Sequence, residues 1–181
     1  MKCAFIRGVN INGQSMKMAE VCNVFRQEEL QNVSSVLATG NILFESTLKK
    51  ETLRLSLEKR MSETFQSDIR LFIKEQDEIE IILRSHTFSA DPNLHIYAFI
   101  CENGFENILM EKFNAITPIA DEKAEIKQGQ FYWQVAKGFT LDAGFSKILG
   151  DKQIRDQFTS RNINTIQKIY LKMQENSGIK K

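Results

Sequence analysis

The sequence predicts an α+β protein made of two ferredoxin-like halves of β-α-β-β-α-β type packed together, the second half less regular than the first. Two observations carry that reading. Apolar residues switch repeatedly between the two-residue period of strands and the 3.6-residue period of helices. The turn-rich segment "HTFSADPN", with Pro92, divides two runs of elements that begin in the same order. The halves are therefore placed at residues 1–88 and 89–181.

Residues 3–7 form a short apolar strand. From Ser15, a candidate N-cap, Met18, Val21, Cys22 and Phe25 recur at helical spacing and predict a helix over 16–30. "SSVLATGNILFES" reads as two strands joined at a tight turn, Thr39-Gly40-Asn41. Leu53, Leu57, Met61 and Phe65 share one face of a helix over 49–66; "IRLFIKE" is a strand, and 76–85 add a short helix. This order is the split βαβ motif. The second half gives the strand "LHIYAFICE", a helix near 105–115, and strands "EKAEIKQ" and "QFYWQVAK" around Gly129. Helices over 144–157 and 164–175 follow, and "DQFTSRN" is the only room for a final strand.

The first half's sheet is apolar on both faces: Cys3 and Phe5 alternate with Ala4 and Ile6, and Ile42 and Phe44 with Leu43. Something must cover the face opposite the helices, either the other half or a second copy of the chain.

Composition narrows the function classes. The 181 residues are 42% hydrophobic and 26% charged, with a net charge of +1. Such a chain carries no global basic field for nucleic acid or anionic membranes, so any anion site is local. Cys3, Cys22 and Cys101 are scattered and odd in number, which reads as buried free thiols without a disulfide, zinc or redox pair. Charge and glycine interrupt the N-terminal apolar run, so no signal peptide is read there, and no run reaches the roughly 20 apolar residues of a membrane span. A cytoplasmic, reducing compartment is the expectation.

"RGVNINGQSMKM" resembles a phosphate-binding P-loop, with Gly8, Gly13 and Ser15 between a strand and a helix, but Gln14 replaces the lysine. Hydrolysis of a nucleoside triphosphate is therefore not expected. Backbone N–H groups at the helix start, with Arg7 and Lys17, could instead hold a phosphate or carboxylate. The competing reading is a tight connection that needs glycine for its backbone angles. In "TSRNINT", Arg161 offers a planar donor fork. Asn164 is the candidate N-cap of the last helix. Lys147, in "GFSKILG", is read near the start of a helix, where a cation opposes the dipole and hints at an anion. His86 and His95 stand in no triad or metal-binding context.

The motifs "RGVN", "MKMAEV", "TGNILFES", "GFSKILG" and "TSRNINT" resemble, in order and spacing, an uncharacterised bacterial family catalogued as domain of unknown function 1697. That family usually reads R-G-I-N-V-G-G, S-G-N-V-x-F and T-x-R-N-W-N-T; among its departures, this chain has Val9 for isoleucine, Thr39 for serine and Ile163 for tryptophan. The resemblance implies an α+β fold of ferredoxin-like character and no activity.

The functional expectation is a protein that binds a small anionic ligand, phosphorylated or nucleotide-like, in a polar cleft between the halves. Its ligand residues would be Arg7, Asn10, Asn12, Lys17, Asn41, Lys147, Arg161 and Asn162, with no metal and no cofactor. Arg161 and Asn162 are expected near the Arg7–Asn12 loop. One alternative is a metal-independent enzyme acting on a phosphate or acyl ligand at the same site, with Lys147 its one candidate acid or base. The other is single-stranded nucleic-acid binding through Tyr97, Phe99, Phe131 and Trp133. A membrane partner is not expected, and a homodimer is allowed.

Overall fold

Two four-stranded antiparallel sheets organise the chain in a computed structural model that describes residues 1–11, 14–176 and 178, without the side chains of Asn10, Ile11 and Gln14. Strand β1 (Lys2–Arg7) leads to a two-residue ribbon of β2 (Asn10–Ile11) and β3 (Gln14–Ser15), then helix α1 (Met18–Gln27). Strands β4 (Gln31–Ser35) and β5 (Asn41–Glu45), helix α2 (Lys50–Phe65), β6 (Arg70–Glu75) and α3 (Gln76–Arg84) follow. The rest comprises β7 (Leu94–Cys101), α4 (Phe105–Asn114), β8 (Lys123–Lys127), β9 (Gln130–Ala136), α5 (Gly144–Leu149), a 3-10 turn (Arg155–Gln157), β10 (Phe158–Asn162) and α6 (Ile163–Asn176).

The sheet orders are β4-β5-β1-β6 and β10-β7-β9-β8. In each, the first strand lies between the third and fourth of its half, which is the ferredoxin-like arrangement. The last strand, β10, falls within the "DQFTSRN" stretch that the sequence left open for it. By packing, the chain sorts into one unit of residues 1–79 with 167–181 and another of residues 80–166. Both divisions lie inside helices, α3 and α6, whereas the sequence suggested a boundary in the loop at 88/89. The C-terminal helix thus groups with the first unit.

In the first unit, Ala4, Ile6, Ile42, Phe44, Leu71 and Ile73 face Val21 and Phe25 of α1 and Leu53, Leu57 and Met61 of α2. The i, i+4 spacing along α2 places its three apolar side chains in one row. Phe25 and Phe44 meet edge to face with centroids 5.5 Å apart. On the other face Cys3, Phe5, Leu43 and Phe72 are also buried. The chain covers that face itself, and burial there does not require a second copy.

The second unit is centred on aromatic rings. Phe145 of α5 lies within 6.0 Å of Phe99, 5.4 Å of Phe113, 5.5 Å of Phe131 and 5.7 Å of Trp133, centroid to centroid. The buried Glu122 carboxylate ties this cluster together, accepting from Trp133 Nε1 (3.1 Å), Phe145 N (3.4 Å) and Ile119 N (3.0 Å). The β8–β9 hairpin turns through Gln128 (φ 50°) and Gly129 (φ 71°), the left-handed pair that a two-residue turn requires.

Helix boundaries depart from the sequence reading in three places. Ser15 lies in β3, so α1 starts at Met18 with Lys17 at its N-cap position and no side-chain cap. The helix expected over 144–157 stops at Leu149, before Gly150, and only the 3-10 turn follows. Helix α6 begins at Ile163 and is capped by Asn162, whose Oδ1 accepts from Asn164 N at 2.9 Å; Asn164 is not the cap. No helix among the described residues is long and apolar enough to cross a membrane.

Gly40 is where the first unit is least tolerant. Its φ is +73°, Ile6 N donates to its carbonyl at 2.8 Å, and an added Cβ would overlap Val9 Cγ1 and lie 3.0 Å from Ile6 Cβ. Gly40→Ala therefore combines backbone strain with overpacking and is expected to cost about 2 kcal/mol or more. Urea unfolding checks this; a variant within about 0.5 kcal/mol of the parent would contradict the packing described.

Candidate functional site

Polar groups concentrate where strands end. In the first unit, β1 delivers half-buried Arg7 to one edge of the sheet, followed by exposed Gly8 at φ +82°. The hairpin turn returns to that edge, because Phe5 pairs with Asn41 and Ile6 bonds Gly40. Helix α1 starts there too: Met16 N donates to Val9 O at 2.8 Å, one residue before Lys17. Lys17 is exposed and pairs only loosely with Glu20, at 3.6 Å. Lys17, at the N-cap position of α1, makes no side-chain bond to the first turn.

This geometry answers the P-loop question. A P-loop runs straight into its helix and sets the Ser hydroxyl at the first turn. Here the segment folds back as the β2–β3 ribbon, Asn10 opposite Ser15, and Ser15 is strand backbone. Gly13 and the expected ligand residue Asn12 lie outside the described residues; for Asn10 the backbone alone is described. Asn41 belongs to the fold and not to a binding surface: it is fully buried, and its Nδ2 donates to Val36 O and to Thr39 Oγ1, both at 2.9 Å.

In the second unit, strand register separates two residues that the sequence grouped. Ser160 pairs with Phe99 and Asn162 with Tyr97, while Thr159 pairs with Ile100 and Arg161 with Ala98. Side chains alternate along a strand, so Arg161 and Asn162 leave β10 on opposite faces. Arg161 shares its face with Thr159, donating from Nη1 to Thr159 Oγ1 (2.7 Å) and Ser160 O (2.8 Å). Asn162 shares its face with His95 and Tyr97, and its Nδ2 stands 3.1 Å from His95 Nδ1. Arg161 and the Arg7 loop belong to different units.

Lys147 is exposed in the last turn of the six-residue α5. There a cation complements the helix dipole, so the expected electrostatic conflict does not exist. The nucleic-acid alternative also loses its residues. Phe99 and Phe131 are fully buried, Trp133 is 2% exposed, and all three pack under α4 and α5. Rings enclosed this way cannot stack on bases. Tyr97 alone of the four is half-exposed.

His95 is the residue that sequence reasoning passed over. It opens β7 beside Tyr97, ring centroids 5.8 Å apart, and Tyr97 in turn stacks on Trp133 at 5.6 Å and 27°. Burial first, and then the Lys137 ammonium, hold its imidazole below the ordinary histidine value. Its partner, Asn162, is 67 residues away in sequence. The one available signal was strand alternation in "FTSRN", which sets Asn162 apart from Arg161. Among the described residues, no group of three or more His, Cys, Asp or Glu side chains could hold a metal.

The chain matches the family described as a protein of unknown function (DUF1697) over residues 1–132. Its fold is similar to that of conserved bacterial protein SP0830 from Streptococcus pneumoniae, with a TM-score of 0.73 and 21% identity over 94% of this chain and 96% of that one. No curated protein matches.

Two outcomes are expected. Magnesium-ATP and magnesium-GTP should not be hydrolysed above background in a phosphate-release assay; turnover that disappears in Ser15→Ala would contradict the ribbon geometry. His95 should make stability depend on pH. Its folded value lies below the unfolded one of about 6.5. The unfolded chain therefore takes up the proton first, and stability present above about pH 6.5 is lost as pH falls through the folded value. Denaturant titrations on either side of that pH should show a smaller loss for His95→Gln than for the parent, and an equal loss would remove His95 as the cause.

Proposed function

We propose, starting from the premise that this chain belongs to the DUF1697 family of proteins of unknown function, that it binds a small phosphorylated ligand at the open edge of its first unit. One observation carries this reading: the ten-residue α1 starts, without a side-chain cap bond from Lys17, at the edge where β1 ends with Arg7 and the β4–β5 turn returns. Backbone N–H groups at a helix start favour an anion, and the two cations supply charge that Gln14 cannot. Gly8 holds φ +82°, which favours glycine, and the space beside its Cα is open. The ligand set is Arg7, Lys17 and the first N–H groups of α1.

Thermal unfolding in inorganic phosphate and pyrophosphate, against chloride at equal ionic strength, tests this. At about ten times the dissociation constant, a ligand that binds only the folded state adds about 1.4 kcal/mol, or about 3–5 °C for a chain of this size. Arg7→Ala and Lys17→Ala should each remove most of the shift, and Lys17→Ala, at an exposed position, should do so without lowering the melting temperature of the unliganded protein. No stabilisation by either anion, or a shift untouched by both substitutions at the edge, would overturn the proposal.

A further inference from the structure

The ring of His95 is held in one protonation form by a chain of hydrogen bonds that begins at a helix start. Asn162 Oδ1 accepts from Asn164 N at 2.9 Å, which assigns the carbonyl end of this amide to the first turn of α6. The NH2 end must then face His95 Nδ1, 3.1 Å away. An amide NH2 only donates, so Nδ1 must accept, and the ring proton of neutral His95 resides on Nε2. A proton on Nδ1 would set two donors against each other. The low basicity of His95, from burial and Lys137, agrees with a ring that stays neutral.

His95 Nε2 makes no hydrogen bond among the described residues. Tyr97 beside it is half-exposed and fixed in orientation by its stack on Trp133. The exposed Lys137 ammonium adds to burial in lowering the basicity of His95. The His95 and Tyr97 side chains share the face that Asn162 occupies, and Lys137, one residue past β9, donates from its N to Asn93 O at 2.9 Å at the same end of the sheet. Those groups complement oxygen atoms that carry negative charge.

We propose that His95, Tyr97 and Lys137, on the second unit, form a second binding site for a small oxyanion, either a carboxylate or a phosphate. Asn162 is its positioning residue, fixing the His95 tautomer so that a neutral imidazole presents Nε2–H to the ligand. The protein has two histidines, so their ring signals are readily told apart.

The test is nuclear magnetic resonance of ring-15N-labelled protein, with inorganic phosphate and acetate as separate probes and chloride as the control at constant ionic strength. Neutral His95 should be protonated on Nε2. Phosphate, acetate or both should shift the His95 and Tyr97 signals saturably while His86 stays in place, and the probe that acts identifies the oxyanion class. Lys137→Ala should weaken that binding about tenfold or more. Asn162→Asp keeps a good helix cap but accepts from Nδ1–H, so it should move the neutral ring's proton to Nδ1 and abolish binding above the ring's pKa. Lys17→Ala should leave the His95 response unchanged, which separates this site from the glycine-loop edge. A neutral parent ring protonated on Nδ1, no response to either probe, or full affinity in Lys137→Ala would each overturn the proposal. Should Asn162→Asp not fold, the parent tautomer and Lys137→Ala decide the question.

Discussion

Burial of the central strands on both faces is the constraint on which the rest depends. Residues 2–6 of β1, residues 41–44 of β5 and residues 130–135 of β9 are buried without interruption. A polar group in such a strand must find a partner inside or bear the cost of desolvation. The few that occur there do so: Asn41 bonds Val36 and Thr39, Gln130 bonds Phe99 O, and Gln134 donates to Asp121 O. Polar atoms free to meet a ligand are displaced to the strand ends. His95, the second residue of β7, stands next to such an end.

Element order was legible because it depends on hydrophobic period, which is a local property of the sequence. Both halves follow it, and β10 occupies the one gap that the ferredoxin-like order left. Helix ends were less legible, because capping depends on which polar side chain reaches which N–H. Ser15 and Asn164 both satisfy the compositional rule for a cap, yet strand pairing claims Ser15, and Asn162 lies closer to the true start of α6. The overlong helix at 144–157 had a further consequence. A helix over 144–157 sets Lys147 near a helix start, where it would need an anion, but with the helix ending at Leu149 it stands in the last turn, where its charge is favourable.

The aromatic residues show the limit of composition as a guide to function. Strands rich in Tyr, Phe and Trp suit base stacking and core packing equally well, and what decides between them is the residue set on the facing helices. Helices α4 and α5 present Phe105, Phe113 and Phe145 to that sheet, which closes the surface. Glu122 then fixes α5 over the rings through Phe145 N and Trp133 Nε1. Tyr97 and His95, on the same strand, remain half-exposed.

Neighbours in sequence and neighbours in space part company in "TSRNINT". Arg161 and Asn162 looked like one polar cluster, but a strand turns successive side chains to opposite faces, and these two residues serve different surroundings. Arg161 is tied to its own strand through Thr159 and Ser160. Asn162 ends β10, caps α6 and holds the His95 ring, so three structural roles meet in one amide. Both ends of that amide are committed, and rotating it by 180° would put its NH2 against Asn164 N–H while turning its oxygen toward His95. The cap thereby resists a flip, and the orientation that satisfies the helix also selects the histidine tautomer. A residue whose sequence context suggests direct ligand contact thus acts on the neighbouring ring through hydrogen-bond polarity, a role visible only once strand register is known.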